Sequence, residues 1–490
     1  MQAENEGRLR YSLRRLAVFL RLMAKSRMAA IGLIILIVSA FLAVTAPVFF
    51  PGAPASKVVG APFAQPEWVT IFPEGYHLSK NIVVVNDPLF KSPSALQEWS
   101  YQKPVSIALA WSTTAPSPGQ GSLQITSTSN SITDVAVTKS FNYPYRGPPG
   151  RLEDLPNAFA VKADGISSAQ PVFVQFFIDT GTHKYVLWSA NITQGGSWNG
   201  PPYGIDSLSE DFRSNLGFTK GITGLSTNEA IFSTVGQYSY GFAATFYGPG
   251  KLYVTNVGLT LFGTAYGVLG TDAFGADLLG QNVYGSRISL FVGLLSAFIG
   301  ISLGLIIGLV AGYKTGLTDE VLMRFTDMML VIPFLPLLIV LIAVLGASIT
   351  NLIIVIGFLG WMGFARVIRS QVLSIKERPY IEAARASGAG SYQILSKHVF
   401  PNIVSLTYVN LALTVPGAIL AEAALSFLGL GDPTVISWGQ ILNRAQETFA
   451  LRYWWITVPP GLAIAIVSLS FILLGYALDE IFNPKLRMRR

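Results

Sequence analysis

The sequence predicts an α-helical membrane protein with six transmembrane helices and a mainly-β, sandwich-like domain inserted between the first and the second. Three observations carry that prediction. Charged residues make up 12% of the chain and apolar residues 51%, where ordinary soluble domains hold about a quarter charged. Six apolar runs approach the length of about 20 helical residues that a hydrocarbon core requires. The segment 50–268, in contrast, is rich in Ser, Thr, Gly and Pro and alternates apolar with polar residues at period two, the pattern of half-buried strands.

Residues 1–28 place Leu9, Leu13, Leu16, Leu20 and Met23 at helical spacing, with Arg10, Arg14, Arg21 and Lys25 largely on other faces. That pattern predicts an amphipathic helix along the inner leaflet, with a straight extension of the first span as the alternative. Residues 29–49 carry no charge and form the first span. The run exceeds the apolar core of a secretory signal, and no small-x-small site follows it, so cleavage is not expected.

Within 50–268 the runs 105–111 and 172–178 are examples of alternating hydrophobicity, the pattern of half-buried strands. Asp179-Thr180-Gly181-Thr182-His183 then leads into 184–188, predicting a hairpin with a glycine-bearing turn. Further strands are expected near 81–86, 123–138, 238–246 and 251–262. Five tryptophans and eleven tyrosines between Trp68 and Tyr266 fit either a sugar-stacking surface or, the reading favoured here, the core and rim of the sandwich. Asn191-Ile192-Thr193 is a candidate glycosylation sequon. Residues 269–490 supply a five-helix core, with spans at 288–312, 329–347, 350–367, 404–428 and 459–478.

Lys and Arg near the span ends orient the chain. Arg8, Arg10, Arg14, Arg15, Arg21, Lys25 and Arg27 precede the first span, Arg366, Arg369, Lys376, Arg378, Arg385 and Lys397 follow the fourth, and Lys485, Arg487, Arg489 and Arg490 end the chain. All three clusters fall on one side if six spans alternate. The expectation is a multi-pass cell-membrane protein with cytoplasmic termini and an extracellular 50–268 segment. The net charge of +7 is thereby explained as orientation, with no nucleic-acid partner.

Several chemistries are not supported. The absence of cysteine removes disulfides and thiolate sites. His77, His183 and His398 have no metal-ligand spacing, and no Gly-x-x-x-x-Gly-Lys-[Ser/Thr] phosphate loop occurs. The chain is therefore expected to be no enzyme and to hold no cofactor itself.

The polar stretch 369–402 between the fourth and fifth spans has a regular design. Ala383, Ala384 and Ala386 form helix readily and keep its profile small enough for close docking. Glu382 sits near the start of that helix, where a carboxylate suits the dipole and can accept hydrogen bonds from a partner arginine. Gly388, with Gly390, permits a sharp turn, and Pro401 suits the first turn of the next span. Glu422 is an isolated charge within an apolar span, so it belongs either to a solute path or to a hydrogen-bonded contact with a neighbouring helix or a second subunit.

Glu382-Ala383-Ala384-Arg385-Ala386-Ser387-Gly388, followed nine residues later by His398-Val399-Phe400-Pro401, resembles the signature loop of ABC-importer permeases. The 270–277 run, 284–290, Ala311-Gly312-Tyr313, Asp319, Met323-Arg324, Asp327 and Pro333 resemble the dipeptide, oligopeptide and nickel branch of that family, the second-permease type. So do 421–431, Ser437-Trp438-Gly439 and 483–487. The resemblance implies a type I importer permease fold. It also implies that Glu382, Ala383, Ala384, Arg385, Gly388, His398 and Pro401 belong to a loop docking into an ATPase, with His398 bracing the loop. The implied partners are a second permease subunit, two ATPase subunits that carry ATP and Mg, an extracellular solute-binding protein and the bilayer.

Two departures stand out: Ala276 and Gln281 occupy positions where the family usually has arginine, and the first external loop is far longer than usual. The implied substrate is a peptide, with an oligosaccharide as the alternative. A secondary transporter is the rival class, but it would call for inverted repeats and mid-membrane charges that these spans largely lack.

Overall fold

The structure, a computed structural model, describes residues 26–52, 54–153, 159–201, 204–209, 212–213, 216 and 227–482. The predicted amphipathic helix and the basic tail fall almost wholly outside the described residues. Two compact units divide the chain: Met1–Ala55 with Leu278–Arg490, and Ser56–Asp277.

The first unit is helical. It contains α1 (Arg27–Phe49), α2 (Leu278–Lys314), α3 (Gly316–Val331), α4 (Phe334–Leu345), α5 (Ile349–Phe358) and α6 (Met362–Lys376). Next come α7 (Pro379–Ala386), α8 (Ser391–Ile394), α9 (Phe400–Leu425), α10 (Trp438–Glu447) and α11 (Trp454–Phe482). Among the described residues, five stretches are long and apolar enough to cross a membrane: Arg27–Phe49, Leu278–Lys314, Ile349–Lys376, Ser391–Leu430 and Trp454–Phe482.

The expected span at 329–347 differs from a straight helix. It lies across α3 and α4, which meet at 89°, and the count reaches six only if this bent pair is one span. Pro333 is the cause: it has no N–H to donate and it disfavours helical backbone in the residue before it. Ile332 accordingly sits at φ −70°, ψ 128°, in the extended region.

Glycines set how closely the helices approach. Gly300, Gly304, Gly308 and Gly312 recur every four residues along one face of α2. A Cβ at Gly304 would lie 2.6 Å from the Trp361 carbonyl oxygen, and one at Gly308 would lie 2.6 Å from that of Ala365. α2 and α6 thus pack backbone to backbone, as small-xxx-small stripes allow where no hydrophobic effect drives helices together. α1 joins through Gly32, whose Cβ would lie 2.8 Å from the Ser470 carbonyl oxygen of α11. The outward sides of α1, including Ile31, Ile34, Ile37 and Val44, stay exposed, as suits a surface solvated by lipid.

The second unit is a sandwich of two five-stranded antiparallel sheets with a small three-stranded one. One large sheet runs, in spatial order, Ser100–Gln102, Thr133–Tyr143, Gly236–Phe246, Val172–Asp179, Lys184–Ile192. The other runs Trp198–Asn199, Ala160–Asp164, Gly250–Thr255, Ser122–Ser127, Ile107–Ser112. Alternate residues such as Val137, Phe176 and Phe242 from the first and Ile125, Val161 and Leu252 from the second close a single core. The expected hairpin is present, with Gly181 at φ +82° and the Thr180 amide donating to the His183 carbonyl.

The stretches 123–138 and 251–262 each divide into two strands placed in different sheets. In the first, the polar run after Ser127 turns the chain, and the Ser131 amide donates to Ser129 Oγ. In the second, Asn256 takes a left-handed φ of 57°. Most of the described tryptophans and tyrosines lie in the core or are half-buried at its rim. Phe159 stacks on Phe176 at 3.7 Å between ring centres, and Tyr143, Tyr240 and Trp99 are buried.

Glu98 and Lys139 form an ion pair at the rim of this core. The hydrogen bond from Lys139, with its charge and Asn86 assisting and burial opposing, holds the Glu98 carboxyl below the usual range. A lowered folded value stabilises the fold above the unfolded pKa of about 4.3 and loses that effect as pH falls through the folded value. Glu98→Gln is therefore expected to cost about 1 kcal/mol at pH 7 and nothing at about pH 2, measured by tryptophan-monitored thermal unfolding. An equal cost at both pH values would remove the ion pair as its cause.

Candidate functional site

The stretch 369–402 is built on a small apolar base. Ile368, Val372 and Ile375 of α6, Ile381 of α7, Ile394 of α8, and Val399 and Ile403 around the start of α9 form one buried cluster. Each short helix contributes one or two apolar anchors, leaving its other faces in solvent.

Arg378 is extended, as the residue before a proline should be, and Pro379 starts α7. Gly388 ends this helical segment at φ +84°, while the Ser387 and Ala389 amides donate to the Ala383 and Ala384 carbonyls. A left-handed residue of this kind is a common helix stop and favours glycine. Gly390 has an ordinary φ of −69° and serves as the cap of α8. A wide π-turn, Leu395–Val399, then leads into α9. It lies where the Pro401 ring would otherwise crowd the carbonyl four residues back.

Glu382, Ala383, Arg385 and Gly388 are exposed, and Ala384 is half-buried. Among the described residues, the Glu382 carboxylate and the Arg385 guanidinium make no hydrogen bond or ion pair. The His398 imidazole likewise has no hydrogen bond there. It is the His398 backbone carbonyl that accepts from Asn402 Nδ2 at 2.6 Å, and the same amide reaches the Tyr380 hydroxyl at 3.4 Å. Asn402 therefore does the bracing between α7 and α9. The face of α7 presents free charges of both signs on a narrow, alanine-lined ridge held by Ile381, a shape suited to docking against another protein.

Sequence reasoning named Asp319, Asp327, Arg366 and Arg369 without pairing them. Arg369 makes a two-pronged ion pair with Asp319, 2.5 Å from Nε to Oδ1 and 2.6 Å from Nη2 to Oδ2, and Arg366 pairs with Asp327. These pairs tie α3 to the helix that opens the loop. The available signal was charge complementarity: two acids eight residues apart on α3, two arginines three apart on α6.

Glu422 lies in a different cluster and is 1% exposed. Its Oε2 accepts from Ser289 Oγ of α2 at 3.1 Å and its Oε1 from Ser426 Oγ at 2.8 Å. Ser289 Oγ in turn accepts from the Trp438 amide, and Trp438 Nε1 donates to the Asn282 carbonyl at 3.0 Å. A Cβ at Gly439 would press on Ala423 at 2.7 Å, so the Ser437-Trp438-Gly439 turn seats directly on α9. Within this chain Glu422 thus joins α2, α9 and the start of α10.

Gln281 is also buried in α2, and Ala276 is buried in the β-rich unit. Asn191 is exposed on the edge strand Lys184–Ile192, opposite Phe173. Among the described residues no group of three or more His, Asp or Glu gathers to hold a metal.

Residues 304–488 match the family described as "Binding-protein-dependent transport system inner membrane component". The dipeptide transport system permease protein DppC of Bacillus subtilis is 39% identical over 219 residues, 44% of this chain and 68% of that protein. The oligopeptide permease protein OppC of Haemophilus influenzae is 38% identical over 221 residues, 45% of this chain and 71% of that protein. The glutathione permease protein GsiD of Pectobacterium atrosepticum is 36% identical over 220 residues, 45% of this chain and 73% of that protein. On this shared sequence, the helices described above are those of a permease subunit, and the chain belongs to the family of binding-protein-dependent transport system inner membrane components.

Proposed function

We propose that this chain is one of two permease subunits of an ATP-driven peptide importer in the cell membrane. The observation that carries the coupling part is the exposed ridge of α7, with Glu382 and Arg385 unpartnered and Ile381 anchored on the apolar base. The relatives' names supply the substrate class, since they are dipeptide, oligopeptide and glutathione permease proteins.

In this reading α7 docks into an ATPase subunit on the cytoplasmic side. ATP and Mg belong to that partner, and a second permease, a second ATPase and an external solute-binding protein complete the importer. Nucleotide-driven closure of the ATPases moves α7, the Asp319–Arg369 pair passes the motion to α3, and the spans switch the side on which the path opens. Glu422 serves as a clasp between α2, α9 and α10, with its hydrogen bonds to Ser289 and Ser426 supporting that role over a place in the solute path.

The assembly is tested by copurification. The tagged chain, expressed together with ATPase and second-permease subunits from the same organism, should retain both partners in detergent and import labelled peptide when the solute-binding protein is added. Import that runs on an ion gradient without ATP would point to a secondary transporter.

Both termini and 369–402 are cytoplasmic in this proposal, and 50–268 is extracellular. The chain has no cysteine, so single cysteines report on topology without background. In intact cells, Gly119→Cys should react with a membrane-impermeant maleimide, whereas Tyr392→Cys, 85% exposed, should react only after permeabilisation. The reverse labelling would invert the orientation.

A further inference from the structure

We propose that the outer face of the first large sheet of the β-rich unit is a binding groove for a neutral oligosaccharide. The inference concerns this unit alone and goes beyond the transport reading, since it holds whichever solute the spans carry.

The strand register builds the groove. Gln102 pairs with Ala136, Ala136 with Ala243, and Ala243 with Gln175, so one row across the sheet reads Gln, Ala, Ala, Gln. With neighbouring strands about 4.8 Å apart, the two glutamines stand about 14 Å apart on the backbone. The next rows place Thr245 and Gly241 on the central strand, beside Phe173 and Phe177. Small residues on the central strands lower the floor, and long side chains on the flanking strands make the walls. The result is a cleft of about 510 Å³, within the size range of small-ligand sites.

The chemistry of the walls selects the occupant. Lys103 Nζ donates to the Ile107 carbonyl at 2.7 Å, and Lys184 Nζ rests 3.7 Å from the centre of the Phe177 ring. Asp134 Oδ1 accepts from Thr245 Oγ1 at 2.6 Å. These contacts hold the three side chains on neutral partners within the protein and leave their charges in place. Among the described residues, the Gln102 and Gln175 amides have no hydrogen-bond partner. Each offers a donor and an acceptor together, which is what a sugar hydroxyl pair offers in return. The half-buried Phe173 ring supplies an apolar surface for the C–H face of a sugar.

The test uses the full chain in lipid nanodiscs, titrated calorimetrically with glucose tetrasaccharides of α-1,4, β-1,3 and β-1,4 linkage and with tetra-alanine. At least one tetrasaccharide should bind with a Kd below about 1 mM. Gln175→Ala and Gln102→Ala should each weaken it roughly tenfold, and Ala243→Phe, which fills the floor, should abolish it with an unchanged thermal midpoint. If Ala243→Phe fails to fold, the two glutamine variants decide alone. No binding by any tetrasaccharide at about 10 mM, or binding indifferent to the glutamine variants, overturns the proposal. Binding of tetra-alanine that Gln175→Ala removes would assign the groove to peptides instead.

Discussion

Gly388→Val is expected to leave the chain in the membrane, weaken its hold on the proposed ATPase partner and reduce transport by more than tenfold. The reason is local. Gly388 sits at φ +84° with open space around a would-be Cβ, so valine would meet no neighbour and the cost would come from the backbone alone. A left-handed conformation costs a non-glycine residue about 1–2 kcal/mol, and β-branched residues tolerate it least. The chain would escape that strain by unwinding the end of α7, which displaces the ridge carrying Glu382 and Arg385. Glu382→Lys should produce the same loss without strain, by reversing the charge the ridge offers. Membrane yield, ATPase copurification and transport-coupled ATP hydrolysis measure the three parts separately. Normal coupled hydrolysis in both variants would sink the docking assignment.

Gly308→Leu is expected to act earlier, on folding itself. Even a Cβ at Gly308 would stand 2.6 Å from the Ala365 carbonyl oxygen and 2.7 Å from Ile368 Cβ, and neither neighbour is the free end of a flexible side chain. α2 and α6 would have to separate, opening the stripe that also includes Gly304 and Gly312. Overpacking of this kind costs about 1–3 kcal/mol, and more where the backbone must move. The variant should show a sharp fall in membrane-inserted, monodisperse protein. Gly417→Ala is the control, since a Cβ there meets nothing within 4 Å and alanine favours helix over glycine. Similar yields of Gly308→Leu and the unaltered chain would mean that the α2–α6 contact is looser than described.

The α7 ridge shows how far residue order reached. Ala383, Ala384 and Gly388 announce a short helix with a stop, and the structure has a helix ending just before a left-handed glycine there. What residue order could not show was the brace. His398 looked suited to it, yet Asn402 makes the contacts, because a hydrogen bond depends on where two helices cross and not on which side chain is more polar. The same limit applies to Asp319 and Arg369, legible as charges but separated by 50 residues until α3 and α6 pack together. The bend at Pro333 was written in the residues, though the apolar run around it concealed the break, because hydropathy averages over a window and backbone geometry turns on one residue.

The sequence by itself determined the class of the molecule: apolar runs of span length, a strand-rich segment between the first two, and a short-helix loop whose residues match a permease family. These are properties of composition and period, set by the solvent each segment requires. Only the tertiary structure decided which residues meet. It turned four evenly spaced glycines into a close helix contact, placed Glu422 between two serines, and set Gln102 and Gln175 at opposite walls of one groove. Apart from the bond between Glu422 and Ser426, one helical turn apart, these contacts join positions 57 to 133 residues apart in the chain. They are fixed by packing and strand register, which exist only once the chain has folded.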